Sequence, residues 1–168
     1  LTDTCLIDDQ GDLHFFHRGE VLDSGTAQVF VDENNIRFSI SFGPILVENG
    51  QLSEYMLRDE YYTYREPRCA IGMVEPGHYI FVDCEGRVPN GPVGLTVNEI
   101  GMLLYAKGCN ESFLLDGGST SVLIFMGEKL NRTGKDTSVG SPRNQHELFG
   151  IGSSELVHTD WFDGKPAK

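Results

Sequence analysis

No apolar run in this chain approaches the ~20 residues a membrane-spanning helix needs, so membrane insertion is not expected. The first residues, "LTDTCLIDDQGD", carry neither a basic cluster nor a long apolar stretch, and no signal peptide is read there. The four cysteines, Cys5, Cys69, Cys84 and Cys109, are far apart and form no C-x-x-C pair, which argues against zinc. Five histidines, His14, His17, His78, His146 and His158, show no metal-ligand spacing, and only His146 stands near another candidate residue, Arg143. No metal and no cofactor is called for. Basic charge is scarce as well: 13 Lys+Arg stand against 25 Asp+Glu, a formal net charge of −12. Such a chain repels nucleic acid and anionic membrane, so neither is an expected partner. An anionic ligand would need arginines gathered locally against that field. Internal repeats and low-complexity segments are also missing.

What is present suits one domain. A chain of 168 residues can bury roughly 70% of its unfolded surface. Glycine is abundant, 20 residues, which favours turns and strands over long helices. The first half reads as strands: a hairpin in "TCLIDDQGDLHFF" turning at Asp9 to Gly11, then alternating segments punctuated by Asn34-Asn35 and Asn49-Gly50, both turn signals. "SEYMLRDEYYTYREP" reads as a loop or short helix.

"RCAIGMVEPGHYIFVDCEGR" predicts a hairpin around Pro76-Gly77. A two-residue loop would set Cys69 opposite Cys84 and Arg68 opposite Glu85. Alternation then puts Cys69, Ile71, Met73, Ile80, Val82 and Cys84 on a core face, and Arg68, Ala70, Gly72 and Asp83 on the other. A face of Ala and Gly has room for a ligand; it equally suits solvent or a closely packed helix. Two buried free thiols are the plainer reading of Cys69 and Cys84, with a disulfide as the alternative.

"GLTVNEIGMLLYAKGC" predicts the main helix, over about 96–107. Thr96 and Glu99 have capping-box spacing, Val97, Ile100, Leu103 and Leu104 form a helical stripe, and Lys107-Gly108 stop it. "ESFLLD" follows as a strand, "SVLIFMGEKLN" as a hairpin turning at Gly127-Glu128, and "QHELFGIGSS" as a last strand. The class is α+β, a mainly antiparallel sheet packed on one main helix in two layers.

One stretch asks for more than packing. In "CNESFLLDGGSTSVLIFMG", Asp116, Gly117 and Gly118 interrupt two apolar runs. Asp and Gly are turn residues, so a capped turn suffices. Alternatively Asp116 ends a core strand beside backbone open enough for a ligand.

"NEIGMLLYAKGCNESFLLDGGSTSVLIFMGEKLNRTG" resembles the core signature of the phosphodiester glycosidase family. That signature is a helix bearing Glu (Glu99), a strand ending Asp-Gly-Gly (Asp116 to Gly118), a Ser/Thr-rich segment (Ser119 to Ser121) and a hairpin ending in Asn (Asn131). "SFGPILVENG", "RCAIGM", "VDCEGR" and Arg143 before "QHELFGIGSS" resemble further family segments in the same order, from about residue 40 to 153. Departures are Ser119, where relatives carry Gly or Gln, and Cys84-Glu85, which interrupts the family's Asp-Gly-Arg. The family's upstream Asn-Gly strand has no counterpart before residue 40, being absent or diverged. The resemblance implies one domain over 1–160, its upstream part either missing or diverged, and the last residues, 161–168, read as a polar tail.

It also implies hydrolysis of a sugar-1-phosphodiester, with N-acetylglucosamine among the sugars, by a secreted or cell-surface protein acting on a glycan. Arg is suited to the phosphate, since guanidinium bonds it bidentately. Arg68, Arg143 and Arg87 are therefore the clamp candidates. A carboxylate must activate water, act as nucleophile or stabilise an oxocarbenium-like centre; Asp116 comes first and Glu99 second. Gly117 and Gly118 would admit the substrate, Thr120 and Ser121 would hydrogen-bond it, and Asp83 and Asn131 complete the binding set. "DGGST" lacks the elbow of a serine nucleophile. The competing readings are a glycan-binding or scaffolding domain of the same fold and an intracellular interaction module. "NES" at Asn110 and "NRT" at Asn131 match the glycosylation sequon, a pattern short enough to arise by chance. The oligomeric state is not encoded in any motif.

Overall fold

The computed structural model describes residues 2–20, 24–54, 63–132 and 148–151. Asp3–Ile7 (β1) and Leu13–Phe16 (β2) form the expected first hairpin. A helix, Ser24–Glu33 (α1), precedes Phe38–Phe42 (β3), and β3 pairs with β1 to make a three-stranded sheet. The chain then bends at Gly43-Pro44 into a second sheet. Its strands are Ile45–Glu48 (β4), Gln51–Leu52 (β5), Arg68–Glu75 (β6), His78–Cys84 (β7) and Glu111–Leu115 (β8), in the order β5-β4-β8-β6-β7, with Val97–Ala106 (α2) on one face.

The α+β class holds, in three layers instead of two. Leu46, Ala70, Leu114 and Cys109 pack against Val97, Ile100 and Leu104 of α2. Ile45, Ile71, Met73 and Phe113 pack on the opposite face against Cys5, Ile7 and Leu13 of the first sheet. Central strands buried on both faces have no polar side to show, which is why "ILV" and "SFLL" run without alternation.

Helix α1 stands where a strand was expected. Its half-buried positions, Ala27, Phe30, Val31 and Asn34, keep the i, i+3, i+4, i+7 spacing of a helix face. Asn34-Asn35 is a turn signal used to end that helix: Asn34 N donates to Phe30 O, and Asn35 is left-handed at φ 51°. Asn49-Gly50, by contrast, makes the hairpin it announces, between β4 and β5. Helix α2 carries the predicted capping box, with Glu99 N donating to Thr96 Oγ1 at 3.1 Å and Thr96 N to Glu99 Oε2 at 2.9 Å.

The β6–β7 register departs from expectation by one residue. Glu75 pairs with His78 around the two-residue turn, but Val74 forms a β-bulge. Beyond it Met73 faces Tyr79, Cys69 faces Asp83 and Arg68 faces Cys84. Cys69 and Cys84 therefore point to opposite faces, no disulfide joins them, and all four thiols are free. The Ala70–Gly72 face is no ligand groove: α2 and the residues after it cover it. A Cβ on Gly72 would lie 2.5 Å from Cys109 Sγ and 3.0 Å from Leu104 Cδ2.

Ile124–Phe125 (β9) and Glu128–Lys129 (β10) form the late hairpin, turning at Met126-Gly127, one residue earlier than read from sequence. Residues 148–151 carry no strand. The rest of the expected last strand, Arg143, His146, the 161–168 tail and residues 55–62 of the middle loop lie outside the described residues. Among the described residues no helix is long and apolar enough to cross a membrane.

Glu111, at the start of β8, yields a first prediction. Burial pushes its carboxyl up to about 7, with Glu48 and Asp12 adding to the rise against a hydrogen bond from Asn49 N. Between the ordinary carboxylate range and pH 7 the folded chain holds a proton that the unfolded chain has released, so stability falls as pH rises through that window. Glu111→Gln removes this loss and keeps an acceptor for Asn49. The variant should melt about 2–4 °C above the parent at pH 8, allowing for the group's partial exposure. At pH 4.5 thermal melts of the two should coincide.

Candidate active site

Three strands end together: β6 begins, and β7 and β8 finish, at one end of the five-stranded sheet. Antiparallel pairing of β6 with both neighbours brings this about, and most of the predicted site residues within the described chain gather there. Asp116 follows the last residue of β8 and accepts a hydrogen bond from Gly117 N at 2.8 Å through Oδ1. The chain next crosses the start of β6, where Gly118 N donates to Pro67 O at 2.9 Å. This crossing is tight. A Cβ on Gly117 would lie 2.5 Å from Pro67 O, so the first glycine is required by close approach of backbone to backbone.

Arg87 meets this turn from the loop after β7. Its Nη1 lies 3.3 Å from where a Gly118 Cβ would stand, and its Nε donates to Glu66 Oε2. Arg87 is itself left-handed at φ 53°, a conformation uncommon for a side chain of this size. Arg68 is buried on the α2 side and donates to Leu95 O at 3.3 Å and Tyr64 O at 3.0 Å. Arg65 bridges Gly94 O, at 3.2 Å, and the Glu99 carboxylate. The Thr96 N–H, with Arg65 behind it, holds the Glu99 carboxyl below the usual carboxylate range, so Glu99 is ionised at neutral pH.

On the other face of the sheet lie Asp83 and Cys69, with Ser121 and Asn131 beside them. Ser121 is buried, and its carbonyl accepts from Asn131 Nδ2 at 2.8 Å. Asn131 Oδ1 accepts from Leu123 N at 2.8 Å, closing the base of the β9–β10 hairpin. With both ends of its amide engaged and little surface showing, Asn131 is a poor acceptor for a glycan in the folded chain. Thr120 Oγ1 donates to Gly117 O at 2.6 Å and so closes the short 3-10 turn Gly118–Thr120. In this geometry the hydroxyl segment chiefly builds the turn.

Arg65, Glu66 and the Glu85–Arg132 pair were not singled out in the sequence. For Arg65 and Glu66 the one signal was the dense alternation of charge in "YREPR", which runs into the first residue of β6. Among the described residues the rim thus holds three Arg–carboxylate pairs, Arg65–Glu99, Arg87–Glu66 and Arg132–Glu85.

The opposite end of the same strands carries a depression of about 390 Å³ lined by Asp12, Asn49, Asn110 and Glu111 among others. Nearby, Asp8, Asp12 and His14 each bring one ligand atom within 4.8 Å of the others. Linear spacing hides this because the β1–β2 hairpin creates it. The oxygens are engaged, however: Asp8 Oδ1 accepts from Gln10 N and Asp12 N, and Asp8 Oδ2 pairs with His14 Nε2 at 2.9 Å. The cluster holds the hairpin turn.

Residues 5–160 match the phosphodiester glycosidase family, a span that extends well upstream of residue 40. Among solved structures, the chain is similar to the catalytic domain of zebrafish N-acetylglucosamine-1-phosphodiester alpha-N-acetylglucosaminidase, auto-inhibited by its pro-peptide. That likeness has a TM-score of 0.64 at 16% identity and covers 84% of this chain and 49% of that one. A hypothetical protein from Synechocystis is similar with a TM-score of 0.51 at 19% identity, covering 79% of this chain and 31% of that one. At such identities the shared feature is the fold. In sequence, the chain is 27% identical over 130 residues to the SPbeta prophage-derived uncharacterized protein YomE of Bacillus subtilis (strain 168), covering 77% of this chain and 19% of that protein. The chain thus spans about a fifth of the length of this curated relative.

Proposed function

The chain belongs to the phosphodiester glycosidase family, and from that premise we propose that it hydrolyses a sugar-1-phosphodiester on an extracellular or cell-envelope glycan. Water adds to the anomeric carbon, the bond from that carbon to the phosphate oxygen breaks, and free sugar and a phosphate monoester result. The observation that supports this most directly is the Arg87 guanidinium set against Gly118, two residues after Asp116, at the common end of β6, β7 and β8. An Arg held in a left-handed conformation against that turn has a conformational cost which a phosphate-binding role would justify.

In this reading Asp116 is the catalytic carboxylate, either activating water or acting on the anomeric centre directly. Glu99, ionised and tied to Arg65, supplies negative charge near a developing oxocarbenium ion and does not donate the proton. A phosphate monoester leaves well on its own, so holding its charge matters more than protonating it. Arg87 does this by exchanging Glu66 for phosphate. Arg68, with two donors already on backbone carbonyls, fixes the start of β6 and contributes positive potential, and Arg143 completes the clamp.

A second reading, a non-catalytic glycan-binding domain, draws on a specific observation: Arg87 and Arg65 are both already paired with carboxylates. Incubation with a panel of α-sugar-1-phosphodiesters, N-acetylglucosamine included, separates the two. Free sugar released by the parent chain and withheld by Asp116→Asn supports hydrolysis. Saturable binding of the same diesters without release supports the second reading.

A further inference from the structure

Cys69 takes no part in the chemistry above, yet it touches two elements of the site at once. Its partner across the β6–β7 pair is Asp83. The thiol lies 3.0 Å from Asp83 Oδ2 and 3.4 Å from Ser121 Oγ. A thiol has a single hydrogen. The carboxylate is the stronger acceptor, so S–H goes to Asp83 and the Ser121 hydroxyl is left to donate to sulfur. One sulfur therefore ties the end of β7 to the segment that leaves the Asp116–Gly118 turn.

Among the described residues, the other groups near Asp83 are Glu85, Cys84 and Asn131. Glu85 follows two residues later and is itself held by Arg132. Cys84 is adjacent in the chain with its side chain on the opposite face, and Asn131 approaches from the hairpin base. Burial raises the Asp83 carboxyl above its ordinary range and Glu85 adds to this, while hydrogen bonds from Cys69 and Asn131 pull it down. The Cys69 thiol is pushed up to about 12, chiefly by burial. It stays S–H at neutral pH, a donor and not a nucleophile.

We propose that Cys69 is a positioning residue of the site, its thiol fixing the Asp83 carboxylate against Ser121 and thereby setting where Asp83 meets a sugar hydroxyl. This rests on the reading of Asp83 as a substrate-binding group. Cys69→Val removes the donor and adds about one methyl group of volume; Cys69→Ser keeps a donor in less volume. Carboxyl-carbon NMR follows the titration of Asp83 in each, and kinetics on a cleaved diester gives KM and kcat.

In Cys69→Val the Asp83 midpoint should move to higher pH, because a bond favouring the ionised form is gone. KM should rise about tenfold, the loss of one hydrogen bond to a charged group, while kcat changes less than about twofold. Cys69→Ser should restore both toward the parent. The proposal is overturned if the two variants behave alike, whether both match the parent or both are displaced equally, since volume alone would then account for the residue. The titration needs no turnover. A parent chain that releases no sugar would therefore sink the hydrolase reading and still leave the Cys69–Asp83 link decided.

Discussion

Asp116→Asn should lower sugar release by about three orders of magnitude or more, the scale on which single members of a catalytic set act, and leave the fold intact. Both halves follow from the same geometry. Asp116 Oδ1 accepts from Gly117 N at 2.8 Å, and an Asn side chain retains an oxygen to accept that bond. What Asn cannot do is carry negative charge or accept a proton from water. The melting temperature should therefore stay within about 2 °C, as expected of a near-isosteric change that removes no packing and keeps this acceptor. Initial rates on the best diester of the panel, together with a thermal melt, check the two halves separately. A variant that loses turnover by unfolding would make Asp116 a turn-capping residue. One that keeps turnover would move the catalytic role to another carboxylate.

That the site could be approached from sequence at all depends on how it is built. Asp116 to Gly118 follow directly from the end of a strand, so a pattern along the chain marks them. Arg68 and Glu99 are fixed by strand and helix boundaries that the apolar periodicity also marks. The pairing of Arg87 with Glu66, and of Arg65 with Glu99, is different. Each joins segments remote in the chain, and nothing in a local pattern says which charges will meet. The same limit explains the β6–β7 register. Pro76-Gly77 announced the turn correctly, but the bulge at Val74 leaves no mark in the alternation of "RCAIGMVE". One uncounted residue then moved Asp83 to the face of Cys69 and Cys84 to the face of Arg68. Helix α1 failed for another reason: Asn34-Asn35 serves equally well as a hairpin turn or as a helix stop, and only the partners of Phe30 and Val31 decide between them.

Gly117→Ala should damage the site by a route that Asp116→Asn avoids. Gly117 has an ordinary extended backbone, at φ −132°, so alanine there carries no conformational penalty. The penalty is steric. Its Cβ would stand 2.5 Å from Pro67 O and 3.4 Å from Arg68 Cα, and these are backbone atoms at the start of a paired strand, which cannot swing aside. Relief requires the turn to lift away from β6, and that weakens the Gly118 N to Pro67 O bond at 2.9 Å. A stability loss of about 2–3 kcal/mol is the usual scale for such overpacking, or a melting temperature lower by about 5–10 °C in a chain this size. The lifted turn carries Asp116 with it, and a displacement of about 1 Å costs on the order of 10²-fold in rate. Gly77→Ala is the matched control. Gly77 is left-handed at φ 85° with nothing within 4 Å of a Cβ, at the other end of the sheet, so alanine there costs about 1 kcal/mol in backbone strain and should leave turnover per folded molecule unchanged. Rates measured well below both melting temperatures separate a weakened fold from a displaced carboxylate. If Gly117→Ala is as active per folded molecule as Gly77→Ala, the close approach over Pro67 serves folding alone, and the position of Asp116 is set by β8 without it.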